Sequence, residues 1–122
     1  MKKEMTVDEV LNLHRVLCEA KYEKMDGKGV VALVKTIRAL RPVAEEYESY
    51  RKDVIGKLSE GKSEGDKTWQ PAATEALVAR LKEAVEIEIP VLTMEQCGDL
   101  CASNSWEAMM AAEIMAAVCE EG

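Results

Sequence analysis

Val30, Leu33, Ile37, Leu40, Ala44, Tyr47, Arg51, Val54 and Leu58 follow one another at intervals of three and four without a slip, and all but Arg51 are apolar. That spacing draws one face of a long α-helix, the seam of a bundle or coiled coil. Pro42 falls inside it. A proline in a helix interior removes a backbone donor and crowds the preceding turn, at about 3 kcal/mol. The register nevertheless passes from Leu40 to Ala44, which predicts a kinked helix, or two abutting helices with Pro42 in the first turn of the second.

Upstream, Thr6 with Glu9 has the form of a capping box, so a helix should start near Val7. Val7, Val10, Leu11, His14, Leu17, Cys18 and Met25 share its apolar face. The Asp-Gly-Lys-Gly run at 26–29 is read as its terminator, because glycine accepts the left-handed conformation that ends helices. So short a connection predicts that the first two helices form an antiparallel hairpin.

Downstream, residues 59–71 are polar and glycine-rich, and a third helix is expected over 72–84 with Leu77, Leu81 and Ala84 facing inward. The period then changes from 3.6 to 2. Val85, Ile87 and Ile89 alternate with Glu86 and Glu88 until Pro90, the pattern of a half-buried strand near 85–89. A lone strand leaves backbone groups unpaired, so a partner is expected, either at 68–70 or from another chain. Thr93 with Gln96 is a second capping box and opens a short helix carrying Cys97 and Cys101. Asn104 with Glu107 is read as the start of the last helix. From Trp106 to Cys119 that helix is apolar nearly all round, with Met109, Met110 and Met115 along it, so it should be wrapped by the domain or covered by another subunit. No repeat of 20 residues or more emerges. These elements add up to one α+β domain over 1–122, predominantly α-helical, with a long kinked helical hairpin, further helices and one short β element near 85–89.

Composition supports that class. The chain is 48% hydrophobic and 32% charged, with no Phe, two Trp, three Tyr and seven Met. Its core must come from aliphatic residues and methionine, which favours helices over a β-sandwich. Charge adds an asymmetry: all 16 Lys and Arg lie before residue 83, whereas residues 83–122 hold nine of the 23 acidic residues. An acidic segment without a cation is a poor match for a phosphate backbone, so no nucleic-acid partner is expected. It suits a solvated face or a basic partner surface. The start, MKKEMTVDEV, has no apolar run behind its lysines, and no stretch reaches the length of a membrane span. The expected setting is the cytoplasm of a bacterial cell, with reduced thiols.

Two pairs at one-turn spacing invite a metal reading. His14 precedes Cys18 by four residues and Cys97 precedes Cys101 by four, and Cys3His is an accepted zinc set. The spacing lacks the usual two-residue knuckle, Cys119 is left over, and buried cysteine packs as a small apolar residue. Packing is therefore the preferred reading, with no metal ligands and no cofactor assigned. A catalytic thiolate needs a cation or base beside it, and Cys97 lies in an acidic segment. No nucleophile elbow, Walker loop or HExxH is present, so no catalytic residues and no small-molecule substrate are assigned, and an enzyme is not expected. Lys35, Arg38 and Arg41 make a basic row read as counterparts of the acidic third, within the chain or across a dimer. Arg51 within the seam is expected to snorkel its stem over the core or to pair with a buried acid, with Tyr47 as its neighbour.

The order of features is itself informative. LVKTIRALRPVAEEYESYRKDVIGKLSEG, a polar turn with one Trp, then ALVARLKEAVEIEIPVLTMEQCGDL resembles a family of small phage- and prophage-encoded proteins of unknown function, over about residues 7–100. Pro42, the cysteines and the helix after Ser103 depart from that pattern. The resemblance brings no catalytic residues and implies a phage setting with an accessory or assembly role. The expected function is protein–protein interaction, as a homo-oligomer or with another protein. The alternatives are a small zinc-stabilised regulator built on His14, Cys18, Cys97 and Cys101, and an acidic inhibitor that mimics nucleic-acid charge.

Overall fold

The computed structural model of the chain describes residues 1–119; Glu120 and Glu121, counted above in the acidic segment, lie outside them. The elements are β1 (Lys2–Thr6), α1 (Val7–Glu19), α2 (Gly27–Ser59), α3 (Gln70–Leu81), β2 (Ala84–Glu88), α4 (Met94–Ala102) and α5 (Ala108–Val118). The fold is a predominantly helical α+β arrangement, as the periodicities predict.

The strand near 85–89 is present, but its partner is neither of those expected. β2 pairs antiparallel with β1, with Met5 opposite Val85 and Lys3 opposite Ile87. The chain start is held further by Ile89 N–H donating to Met1 O at 2.9 Å and by the terminal ammonium donating to Ile89 O at 2.8 Å. Only Met5 is apolar within β1, so its alternation carries almost no hydropathy signal. Lys3 reaches out to donate to the Ala116 carbonyl.

The first capping box forms as read. Glu9 N–H donates to Thr6 Oγ1 at 3.1 Å and Thr6 N–H donates to Glu9 Oε1 at 3.0 Å. The same residue ends β1, so strand and helix meet at one hinge, closed by Val7 N–H to Glu83 O at 2.9 Å. Thr6→Ala is expected to lower unfolding free energy by about 1 kcal/mol in urea titration; an unchanged midpoint would show that the box contributes nothing.

The 26–29 run does the opposite of what was expected. α1 already ends at Glu19, and Asp26 caps the next helix by accepting from Gly29 N–H at 2.7 Å. Asp-Gly-Lys-Gly therefore starts α2, because an aspartate cap outweighs two helix-weakening glycines in the first turn. α2 then runs unbroken through Pro42 to Ser59, so the two-helix alternative is excluded. Pro42 and Arg38, one turn before it, are both exposed.

The core gathers Val10, Leu13 and Leu17 of α1, Leu33 and Leu40 of α2, Ile87, Ile89, Leu92, Leu100, Ile114 and Val118. Thr36 is buried among the α2 core positions, and its hydroxyl donates to Ala32 O at 2.9 Å. Burial on α2 stops at Leu40: no residue from 41 to 59 is buried. The second half of α2 packs on α3 as a two-helix arm, in which Val54, Ile55, Leu58, Leu77 and Leu81 are half-buried. Ala73 is the only buried residue of α3.

Asn104 does not start the last helix. Its side chain accepts from Lys21 N–H at 2.8 Å and donates to Lys21 O and Leu100 O, each at 2.9 Å. It ties the α1–α2 link to the end of α4, and α5 begins instead after Glu107 without a side-chain cap.

Candidate functional site

The four cysteines divide differently from either sequence reading. Cys97, in the first turns of α4, is bonded to Cys119, the residue after α5, across a Cα separation of 6.3 Å. Both are buried, and Leu92 N–H donates to Val118 O at 2.9 Å beside them. The expectation of uniformly reduced thiols is corrected, and with it the four-ligand zinc alternative, because a disulfide sulfur is not a thiolate donor. Cys18 and Cys101 are free, the former exposed and the latter half-buried. Among the described residues, no three His, Cys, Asp or Glu side chains converge on a common point suited to a metal ion.

His14 and Cys18 do meet. One turn apart on α1, they place the thiol sulfur 3.6 Å from His14 Nε2. Burial, and then the Arg41 guanidinium, hold the imidazole pKa below its ordinary value, with Glu45 opposing. Burial and the guanidinium both favour the neutral ring. Tyr22 stands nearby; burial and then Cys18 raise its pKa, and its hydroxyl donates to the Leu17 carbonyl. Cys18 and His14 both fall on the predicted apolar stripe of α1, yet they sit at its edge rather than in the core.

Two surfaces stand out beside the cysteines. Between α1 and α5 runs a half-open groove of about 420 Å³, with Met5, Leu13, Val16, Met110 and Ile114 as its apolar lining and Glu9 and Glu113 among its walls. The last helix is thus neither fully wrapped nor bare: Ile114 and Val118 are buried, while Met109 is 78% exposed. The second surface is the outer side of the arm. There a shallow trough runs along α3 past Pro71, Thr74 and Val78, with Lys67, Glu75 and Lys82 around it.

Within the chain, and among the described residues, the basic row is not paired with the acidic third. Among the described residues the ion pairs join Met1 to Glu88, Lys2 to Glu86, Arg15 to Glu19, Arg51 to Glu48, and Arg80 to Glu46 and Glu83. Arg51 is exposed and turns to Glu48, one turn back, at 3.3 Å. Arg80 does more: it bridges α3 to Glu46 of α2 at 2.6 Å and lies over the Tyr50 ring, 5.2 Å from its centroid. Sequence reading missed this clasp at the root of the arm, since nothing in the local pattern of either helix marks a contact 34 residues apart.

No helix among the described residues is long and apolar enough to cross a membrane. Comparison with known protein families, with curated proteins and with solved structures finds no match to this chain.

Proposed function

We propose that this chain is a non-enzymatic interaction protein that works as a homo-oligomer, an accessory or assembly component of phage or prophage origin acting in the bacterial cytoplasm. The observation that carries the reading is the arm. A helix of 33 residues, about 50 Å long, uses only its first half to build the core. Its second half and α3 hold Val54, Ile55, Leu58, Leu77 and Leu81 half-covered by each other. Such a pair of helices gains by burying its remaining apolar surface against another pair.

The occupant we assign is the arm of a second copy. The arm interleaves cations and anions, from Arg51, Lys52 and Asp53 to Glu75, Arg80 and Lys82, so two copies meet without net like-charge repulsion. The α1–α5 groove differs. Its Glu9 and Glu113 would face their own kind in a symmetric contact, which favours a basic segment of another protein there and keeps the acidic-inhibitor alternative in view. Burial of the Cys97–Cys119 bond shields it from soluble reductants, so the cytoplasmic placement is compatible with a bonded pair.

Native mass spectrometry of the untagged chain is expected to give a mass of two or more bare chains. Val78 is 42% exposed on α3, so Val78→Glu should leave the fold intact and shift the population to monomer. A wild-type protein that stays monomeric at high micromolar concentration overturns the homo-oligomer.

A further inference from the structure

We propose that His14 and Cys18 form a two-ligand site on α1 for a divalent cation of the zinc class, with imidazole Nε2 and thiolate Sγ as donors and water in the remaining positions. The site does not rest on the oligomeric reading above, and it is distinct from the four-ligand set that the Cys97–Cys119 bond excludes.

Geometry carries the inference. Metal–sulfur and metal–nitrogen bonds of ~2.3 and ~2.0 Å meeting at a tetrahedral angle hold the two donor atoms ~3.5 Å apart. The observed separation is 3.6 Å, which brings both donors within reach of a single ion. Both donors project from one turn of a regular helix, which fixes their relative position before the ion arrives. Cys18 is exposed and free, leaving the open coordination positions to solvent. The donor types also match: a thiolate beside an imidazole selects zinc-like cations over magnesium or calcium, which prefer oxygen.

The neighbourhood sets the strength. On binding, the Cys18 thiol loses its proton to solvent and the ion takes the sulfur lone pair. Arg41 and Glu45 of α2 both act on His14, one repelling a cation and the other attracting it. Two protein donors and a nearby guanidinium make the site weaker than a closed structural zinc site, and open to exchange.

Cobalt(II) is the probe, titrated into the oxidised, Cys97–Cys119-bonded chain. The thiolate-to-metal charge-transfer absorption should rise to one ion per chain. Cys18→Ser should abolish it, His14→Gln should weaken binding about tenfold or more, and Arg41→Gln should tighten it. Cys101→Ser, which removes the other free thiol, should change nothing. Because His14 and Cys18 lie outside the core, these variants should keep the wild-type circular dichroism. In a second measurement, saturating cobalt should slow iodoacetamide alkylation of Cys18 and leave that of Cys101 unchanged. The proposal is overturned if the absorption does not develop, if it survives Cys18→Ser, or if His14→Gln binds cobalt as tightly as the parent.

Discussion

Leu33→Ala should lower the unfolding free energy by about 3–4 kcal/mol, within the usual range for a leucine truncated where its neighbours cannot close the gap. Leu33 is fully buried and belongs to the cluster that joins α1, α2, β2 and α4. Leu58 lies on the same periodic seam but is only half-buried, in the arm. Its truncation should cost about 1 kcal/mol in dilute solution, because less area returns to water and less cavity forms. The two substitutions, compared by urea unfolding, separate a seam buried along its whole length from one that leaves the core midway. Equal losses at low protein concentration would refute the division of α2 into core and arm. Under the oligomer proposed above, the Leu58→Ala loss should also grow with protein concentration, since stabilisation by a partner follows mass action.

That contrast marks how far the sequence could be read. The three-and-four spacing located α2 and its inward face, since periodicity reports which side of a helix is apolar. It says nothing about what lies opposite, so Leu33 and Leu58 look alike in sequence and differ in burial. The capping boxes at Thr6 and Thr93 formed as read, because both partners are local. Asn104 has the same local form and is used elsewhere, drawn to Lys21 across 83 residues. β1 was invisible for a related reason: a strand with a single apolar residue is specified by its partner's backbone and by the sheet's position, neither of which is local. At the candidate site, one-turn spacing correctly paired His14 with Cys18. The spacing of Cys97 and Cys101 was misleading, because local spacing does not say which cysteines bond, and the bond found joins residues 22 apart.

Reducing the Cys97–Cys119 bond should cost about 3 kcal/mol, the value expected when a loop of this length is released in the unfolded chain. The effect is expected to be one of stability rather than of fold. Cys97 and Cys119 are 1% and 7% exposed, and two buried thiols still pack as small apolar groups. The surroundings also hold without the bond: Leu92 N–H donates to Val118 O, and Cys119 N–H donates to Met115 O, each at 2.9 Å. Circular dichroism should therefore be unchanged by reductant, while the urea midpoint falls and α5 exchanges its amide hydrogens faster than α1 does. The double variant Cys97→Ala with Cys119→Ala should reproduce the reduced midpoint within about 1 kcal/mol, the difference being the cavity left by two sulfurs. A midpoint insensitive to reductant, in a sample whose mass shows all four thiols free after treatment, would mean that the bond does not constrain the unfolded chain. Loss of helical signal on reduction would instead mean that α5 depends on the bond to fold, and that the apolar face of α5 cannot hold it on the core unaided.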